Sequence, residues 1–127
     1  MAARRHVRSG TEYERRYGYS RAVRAGDRVL VAGCAPIWPD GSFDPDPRAQ
    51  ARRCFEIVTA ALEELDAGAG DVVRTSMFIT DLEVAVPVGE THREFFGEAE
   101  PASTMLVVAG LVDPRWVVEV EAEAQVG

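Results

Sequence analysis

The sequence predicts a single α+β domain in which two helices cover one face of a β-sheet. Its 127 residues suffice for one hydrophobic core but not for two, and 46% hydrophobic with 28% charged residues is a normal globular balance. The periodicity of apolar residues changes along the chain in the order strand, strand, helix, strand, helix, strand, strand. That order is typical of one layer of strands packed against one layer of helices.

The first two predicted strands form a hairpin within residues 19–33. Two strand-like runs there flank a turn of small residues, Ala25-Gly26-Asp27, of the kind that closes a hairpin. The second run spans residues 28–33. The loop that follows it is rich in proline, so neither a strand nor a helix can continue through it. We expect this loop to lie at the surface.

The first helix is predicted to begin at Asp46-Pro47. Aspartate is a favoured N-cap, and proline is tolerated at the first helical position because its missing N–H is not needed there. Gly68 and Gly70 predict the end of the helix. Apolar residues at helical spacing form one face of it: Cys54, Ile57, Val58, Ala61, Leu62 and Leu65.

The second half of the chain continues the alternation. Residues 71–81 are rich in β-branched and aromatic residues and predict a central strand. A second helix is predicted over residues 87–96, and two closing strands, 104–109 and 116–124, are joined around Asp113-Pro114. Alternate residues of the central strand are expected to share one face: Val73, Thr75, Met77 and Ile79.

The last strand carries a row of carboxylates. Glu119, Glu121 and Glu123 alternate with apolar residues, so all three point to one face of the sheet. This row is either an ordinary solvated face or part of a site. The strands at 72–80 and 104–109 are apolar or nearly so on both sides, which indicates a sheet covered on both faces, and two helices cover only one. The second cover would be another copy of the chain, with the carboxylates between subunits.

The charge balance restricts the partners. The net charge of -7 disfavours nucleic acid and anionic membranes as partners. Residues 1–16 form a basic arm, which is either a partly flexible, solvated terminus or a contact for an anion, and residues 17–127 form the domain. All 14 basic residues are arginine, so lysine Schiff-base chemistry, covalently bound pyridoxal phosphate and a P-loop are excluded. The arm's arginines are Arg4, Arg5, Arg8, Arg15 and Arg16.

The two cysteines, Cys34 and Cys54, are too few for a disulfide framework and lack the spacing of a zinc site. No metal is therefore expected. The first ten residues contain no apolar stretch of the kind found in a signal sequence, and no apolar run approaches the ~20 residues that span a bilayer. We expect a cytoplasmic protein with reduced thiols.

Six segments stand in a familiar order and spacing: YSRAVRAGDRVLVAG, DPRAQARRCFEIV, DVVRTSMFITDL, EFFG, PASTMLVV and VVEVEAEA. Together they resemble the RidA/YjgF family over residues 17–125. The resemblance implies a chorismate-mutase-like α+β fold and a homotrimer with small-molecule clefts between neighbouring subunits. Founding members hydrolyse imines and enamines derived from amino acids, release ammonia and need no cofactor, so none is expected here.

The resemblance also implies which residues line the cleft. The family's tyrosine matches Tyr19, although Tyr17-Gly18 replaces the glycine-proline before it. The family's strand-end glycine matches Gly33, with Cys34 beside it, and its glutamate matches Glu119. Glu121 follows on the same face of the last strand.

One family residue is missing. The founding pattern proline-alanine-arginine-serine here reads Pro101-Ala102-Ser103-Thr104, so Ser103 stands in place of the arginine that grips the substrate carboxylate. A serine hydroxyl does not replace a bidentate guanidinium. The departure argues against standard 2-imino acid deamination and leaves Ser103 and Thr104 as candidate hydrogen-bonding residues for a ligand.

The candidate residues also have structural interpretations. Glu119 would act as general acid or base if burial beside Glu121 raised its pKa, or it is a structural carboxylate paired with an arginine. Cys34 is either a nucleophile or, since no base is apparent, an inert side chain at the site wall. His92 is a packing or hydrogen-bonding residue or a catalyst.

Two functions remain open from the sequence. The first is a cofactor-independent hydrolase of C=N bonds, with Glu119 as the catalytic residue and a ligand that lacks a carboxylate in the standard place. The second is a trimer that binds a small molecule or regulates without turnover. The enzyme is favoured by family resemblance alone.

Overall fold

The computed structural model describes residues 3–127, which form a six-stranded mixed sheet with two long helices on one face. The α+β class predicted from the sequence is confirmed. The strands are β1 (Arg4–Val7), β2 (Ala22–Ala25), β3 (Arg28–Cys34), β4 (Val72–Ile79), β5 (Ala102–Val107) and β6 (Val118–Gln125). The helices are α1 (Glu12–Tyr17), α2 (Pro47–Glu64) and α3 (Ala85–Phe96), with short 3-10 turns at Ala69–Asp71 and Leu82–Val84.

The sheet order is β1-β2-β3-β6-β4-β5. Strands β4 and β5 pair in parallel, and every other neighbouring pair is antiparallel. Strand β6 therefore lies in the centre, between β3 and β4. The predicted hairpin is β2 and β3, which are joined by a turn in which Gly26 adopts a φ of 63°.

The basic arm contains two elements that sequence analysis did not predict. Strand β1 pairs antiparallel with β2 at the sheet edge, and α1 follows it. The side chain of Thr11 caps α1 by accepting a hydrogen bond from the backbone N–H of Glu14 at 3.2 Å. Strand β1 has four residues and no apolar alternation, so only its pairing with β2 identifies it. The division into an arm and a domain stays a prediction.

Helix α2 begins as predicted and ends differently. The Asp46 carboxylate accepts a hydrogen bond from the backbone N–H of Ala49 at 2.9 Å, and Pro47 occupies the first helical position. The helix ends at Glu64, and the left-handed residue that follows is Asp66, with a φ of 59°, rather than one of the predicted glycines. Helix α3 begins two residues before the predicted start, with Pro87 in its first turn.

The core lies between the helices and one face of the sheet. The predicted apolar face of α2 is buried there, except for Ile57, which is partly buried. In β4, Thr75, Met77 and Ile79 share the buried face as predicted, but Val73 is 49% exposed. A register shift in the β4–β6 pairing at Val72 to Arg74 places Val72 in the core instead.

The opposite face of the sheet is open in the single chain. Leu30 of β3 and Leu106 of β5 are 41% and 52% exposed on it. The last two strands are shifted from their predicted bounds, and Trp116 lies buried in the turn before β6 rather than in the strand. Among residues 3–127 no helix is both long and apolar enough to cross a membrane.

Candidate functional site

The carboxylate row lies on the open face, as the alternation of β6 predicts. Val118, Val120, Ala122 and Ala124 are buried under the helices, while the three glutamates point away from them. Across the ladder to β4, Glu119 pairs with Phe78, Glu121 with Ser76 and Glu123 with Arg74. Only Glu123 has an ion pair within the part of the chain that the structure describes, at 2.7 Å from Arg28 on the neighbouring β3.

Glu119 packs against the backbone of Gly33 at the end of β3. A Cβ atom at Gly33 would lie 3.2 Å from Cδ of Glu119, so this position has room for glycine alone without displacing the carboxyl group. Burial raises the pKa of Glu119 above its ordinary value, the Arg21 guanidinium opposes that rise, and the Glu121 carboxylate adds to it. Glu119 is half-buried beside the exposed Glu121, and its role as general acid or base stays a prediction.

Arg21 belongs to this site and was missed by sequence analysis. Its Nη2 donates a hydrogen bond to the carbonyl oxygen of Gly33, and its buried Nε has no hydrogen-bond partner among the described residues. The guanidinium thus lies close enough to Glu119 to oppose the rise in the pKa of that carboxyl group. The residue stands two positions after Tyr19 inside the motif that carries the family resemblance, which is the signal that could have identified it.

Tyr19 and Glu121 line one open cleft of about 430 Å³ on the same face. The other polar side chains on its wall are His6, Ser20, Arg74, Ser76 and Glu123. His6 comes from β1, and its Nδ1 lies 2.9 Å from the hydroxyl oxygen of Ser20. The arm therefore supplies one wall of the cleft, while Glu119 lies beside it against Gly33.

The Cys34 side chain does not reach the open face. A register shift in the β3–β6 pairing between Val31 and Cys34 turns both side chains toward the helices, and Cys34 is fully buried. Burial raises the pKa of its thiol to about 11, and Sγ lies 3.3 Å from the carbonyl oxygen of Ala32. The Cys34 thiol therefore does not line the cleft, contrary to expectation. That the backbone of Cys34 contacts a ligand stays a prediction.

Ser103 and Thr104 lie on opposite faces of the edge strand β5. Thr104 pairs with Ser76, which pairs with Glu121, so these three residues share the open face. Ser103 pairs with Thr75, whose side chain points toward the helices. Within one chain the sheet therefore separates Ser103 from Glu119.

Ser103 instead belongs to a polar chain with His92. The hydroxyl of Thr75, which is 1% exposed, donates a hydrogen bond to Oγ of Ser103 at 2.8 Å and lies 2.7 Å from Nε2 of His92. The imidazole packs against Phe55 and Phe96, with ring centroids 5.8 and 5.4 Å away. Burial lowers the pKa of His92 below its ordinary value. His92 thus packs in the core and forms a hydrogen bond, and whether it also takes part in chemistry stays a prediction.

Comparison with known proteins decides the family. A family model described as Endoribonuclease L-PSP matches residues 11–126. The chain belongs to the RidA/YjgF family. A 2-iminobutanoate/2-iminopropanoate deaminase of Salmonella typhimurium is 36% identical to this RidA/YjgF chain over 111 residues, covering 84% of this chain and 85% of that protein.

Two further RidA/YjgF relatives cover almost the whole chain. An uncharacterized protein of Streptomyces coelicolor is 38% identical over 97% of this chain and 92% of its own length. The crystal structure of Rv2704 from Mycobacterium tuberculosis, a member of the YjgF/YER057c/UK114 family, is 40% identical. It superposes with a TM-score of 0.90 over 98% of this chain and 100% of that chain. Both matches reach into the basic arm.

Proposed function

We propose that this RidA/YjgF protein is a cofactor-independent hydrolase of C=N bonds in small imines or enamines. The observation that carries the proposal is the placement of Glu119 on the backbone of Gly33, where burial raises its pKa. A carboxyl group so perturbed exchanges protons nearer to neutral pH than an exposed one. The Salmonella relative, a deaminase of 2-imino acids, supports the same class of reaction.

Glu119 acts as both base and acid in the proposed reaction. Its carboxylate removes a proton from water as the oxygen adds to the carbon of the C=N bond, and it returns the proton to the nitrogen. Glu119 then moves the hydroxyl proton of the adduct to the nitrogen as well, the carbon–nitrogen bond breaks, and ammonia and a carbonyl compound are released. Arg21 holds the Gly33 backbone against which Glu119 rests, and Tyr19 lies on the neighbouring cleft wall.

The active site is completed between chains of a homotrimer. Glu119 and Tyr19 lie toward the open face, whereas Ser103 lies at the β5 edge on the other side of the sheet. A neighbouring chain that packs on the open face would bring its own β5 edge to Glu119. Such packing would also cover Leu30 and Leu106, which are exposed in the single chain.

The proposed substrate lacks the carboxylate of a 2-imino acid. Ser103 stands where the family resemblance places the arginine that grips this carboxylate, and a neutral hydroxyl offers no bidentate ion pair. Imines that an amine oxidase generates from simple primary amines contain the C=N group and no carboxylate. They are the substrates to compare with 2-iminobutanoate.

The test is ammonia release from both kinds of imine, each generated enzymatically in the assay. We expect the protein to accelerate hydrolysis of the carboxylate-free imine, and Glu119→Gln to lose about 10² to 10⁴-fold of that acceleration. Glu56→Gln, which makes the same change at an exposed position of α2, is the control. The proposal fails if neither imine reacts faster with the protein than without it, or if both variants behave alike.

A trimer that binds a small molecule without turnover is the second candidate function. It is favoured by the serine at position 103 in place of the family's arginine. A cleft without that arginine can still bind a small molecule, even if it no longer positions the family's substrate for reaction. Saturable binding of a carboxylate-free amine that Glu119→Gln weakens, without ammonia release from either imine, would support this candidate.

A further inference from the structure

The chain of Ser103, Thr75 and His92 links an exposed hydroxyl to a half-buried imidazole. Its two hydrogen-bond distances, 2.8 Å and 2.7 Å, lie within the range of well-formed bonds. A serine and a base within hydrogen-bond reach are the arrangement that activates a nucleophile, and here one threonine hydroxyl stands between them. None of the three side chains takes part in the proposed reaction at Glu119 within its own chain.

Thr75 can pass a proton in either direction. A threonine hydroxyl carries one proton, so it donates to one neighbour and accepts from the other. When Thr75 donates to Ser103, Nε2–H of His92 donates to Thr75. When the order is reversed, Ser103 donates to Thr75, and Thr75 donates to the lone pair of Nε2. In the reversed order the Ser103 hydroxyl is a hydrogen-bond donor toward a base, which makes its oxygen more nucleophilic.

We propose that Ser103 is an activated hydroxyl that attacks small activated esters, with Thr75 and His92 as the positioning residues that remove its proton. Oγ of Ser103 bonds to the acyl carbon as its proton moves to Thr75 and the Thr75 proton moves to Nε2. The ester carbon–oxygen bond then breaks, and the leaving alkoxide takes the proton back along the same path. Water repeats the sequence on the acyl-serine, which releases the acid and restores Ser103.

An open cleft lies beside His92, at the other end of this hydrogen-bonded chain. It lies between α3 and the segment that enters β5, and its wall includes His92, Arg93, Glu100 and Pro101, of which Pro101 stands two positions before Ser103. Arg93 and Glu100 are the charged groups on that wall; α2 faces the imidazole with Phe55, and β4 with Thr75. Arg93 forms no ion pair within residues 3–127, and in the proposed reaction its guanidinium is the positive charge available to the acyl oxygen.

The test uses a fluorophosphonate, which modifies activated serines, followed by peptide mapping. We expect modification at Ser103 to be at least about tenfold faster than at any other serine, and Thr75→Val or His92→Gln to reduce it about tenfold or more. Thr75→Ser keeps the hydroxyl and should keep most of the rate. Thr59→Val makes the same chemical change on α2, where its hydroxyl bonds only to its own helix, and should change nothing.

The pH dependence separates a relay from a structural network. Burial lowers the pKa of His92, so the imidazole stays neutral, and the modification rate should stay at its plateau, until the pH falls below 6.5. Hydrolysis of p-nitrophenyl acetate should follow the same profile. The proposal is overturned if Ser103 reacts no faster than other serines, or if folded Thr75→Val reacts as fast as the wild type. The readout needs no imine, so its failure would leave the proposed C=N hydrolysis standing.

Discussion

Gly33 and Glu119 are in contact across the β3–β6 ladder, with the glutamate carboxyl resting on the glycine backbone. The position of a Cβ atom at Gly33 falls 3.2 Å from Cδ of Glu119, which is closer than such atoms ordinarily approach. This contact fixes the carboxyl group on the open face and removes part of its hydration. One glycine therefore determines where the proposed catalytic group lies, and burial there contributes to its raised pKa.

Gly33→Ala should displace the Glu119 carboxyl group by a few tenths of an ångström or rotate it away. We expect the rate of imine hydrolysis to fall by up to roughly 10²-fold, because small misplacements of catalytic groups are costly. The thermal midpoint should change little. Gly110→Ala is the control, since a Cβ atom there meets nothing within 4 Å. Equal rates for the two variants would contradict the role assigned to the contact.

Glu14 should make stability depend on pH. It is 6% exposed; burial alone would raise its pKa, but hydrogen bonds from Ser9 and Thr11 outweigh burial and lower it from 4.5. A lowered folded-state pKa stabilises the fold above pH 4.5, and this stabilisation is lost as the pH falls through the folded-state value. Urea unfolding should show Glu14→Gln less stable than the wild type at pH 7, with the gap closing below pH 4.5. Glu12→Gln, exposed on the same helix, should show no such gap.

Two substitutions should rank the contributions of the α2 cap and the α2 core face. Asp46→Ala removes the hydrogen bond to the Ala49 N–H and should cost about 1 kcal/mol. Leu62→Ala empties a fully buried position and should cost about 2–5 kcal/mol. Denaturant midpoints measure both. Equal or reversed effects would show that the core contact of α2 is misassigned.

The proposed homotrimer should depend on the open face of the sheet. Leu106→Asp places a charge on that face, so we expect it to weaken assembly at least about tenfold while leaving the single chain folded. Val86→Asp makes a similar change at a 68% exposed position of α3 and should leave assembly intact. Light scattering on dilution measures the mass. A wild-type particle with the mass of one chain would refute the trimer.

Long periodic elements could be predicted from the sequence, and local departures from periodicity could not. The α2 face and the alternation of β6 rest on many residues each, so both predictions hold. The register shifts at Val72 to Arg74 and at Val31 to Cys34 each reverse the face of a side chain. The first leaves no signal in residue type, whereas the second contains Gly33, and glycine in a strand often marks a bulge. The two shifts account for the exposure of Val73 and the burial of Cys34.

The part of the candidate site that could be predicted is the part whose residues lie in the segments that resemble the family. Tyr19, Gly33, Glu119 and Glu121 lie on or beside the open face, and whether they bind a ligand stays a prediction. The role of Arg21 depends on how its side chain crosses to the Gly33 carbonyl, which no spacing rule predicts. The link from Ser103 through Thr75 to His92 forms because Ser103 lies on the helix-facing side of β5. The sequence of this edge strand has little apolar alternation, so it does not show which face Ser103 occupies.

The central place of β6 determines when the sheet can be completed during synthesis. Strands β1 to β3 and strands β4 and β5 emerge first from the ribosome, yet they meet only through β6. Until the eight residues of β6 are made, the nascent chain holds two half-sheets with unpaired edges, which are open to proteases and to other chains. Glu119 arrives with the strand that joins the halves, so the event that completes the fold also delivers the group proposed for catalysis.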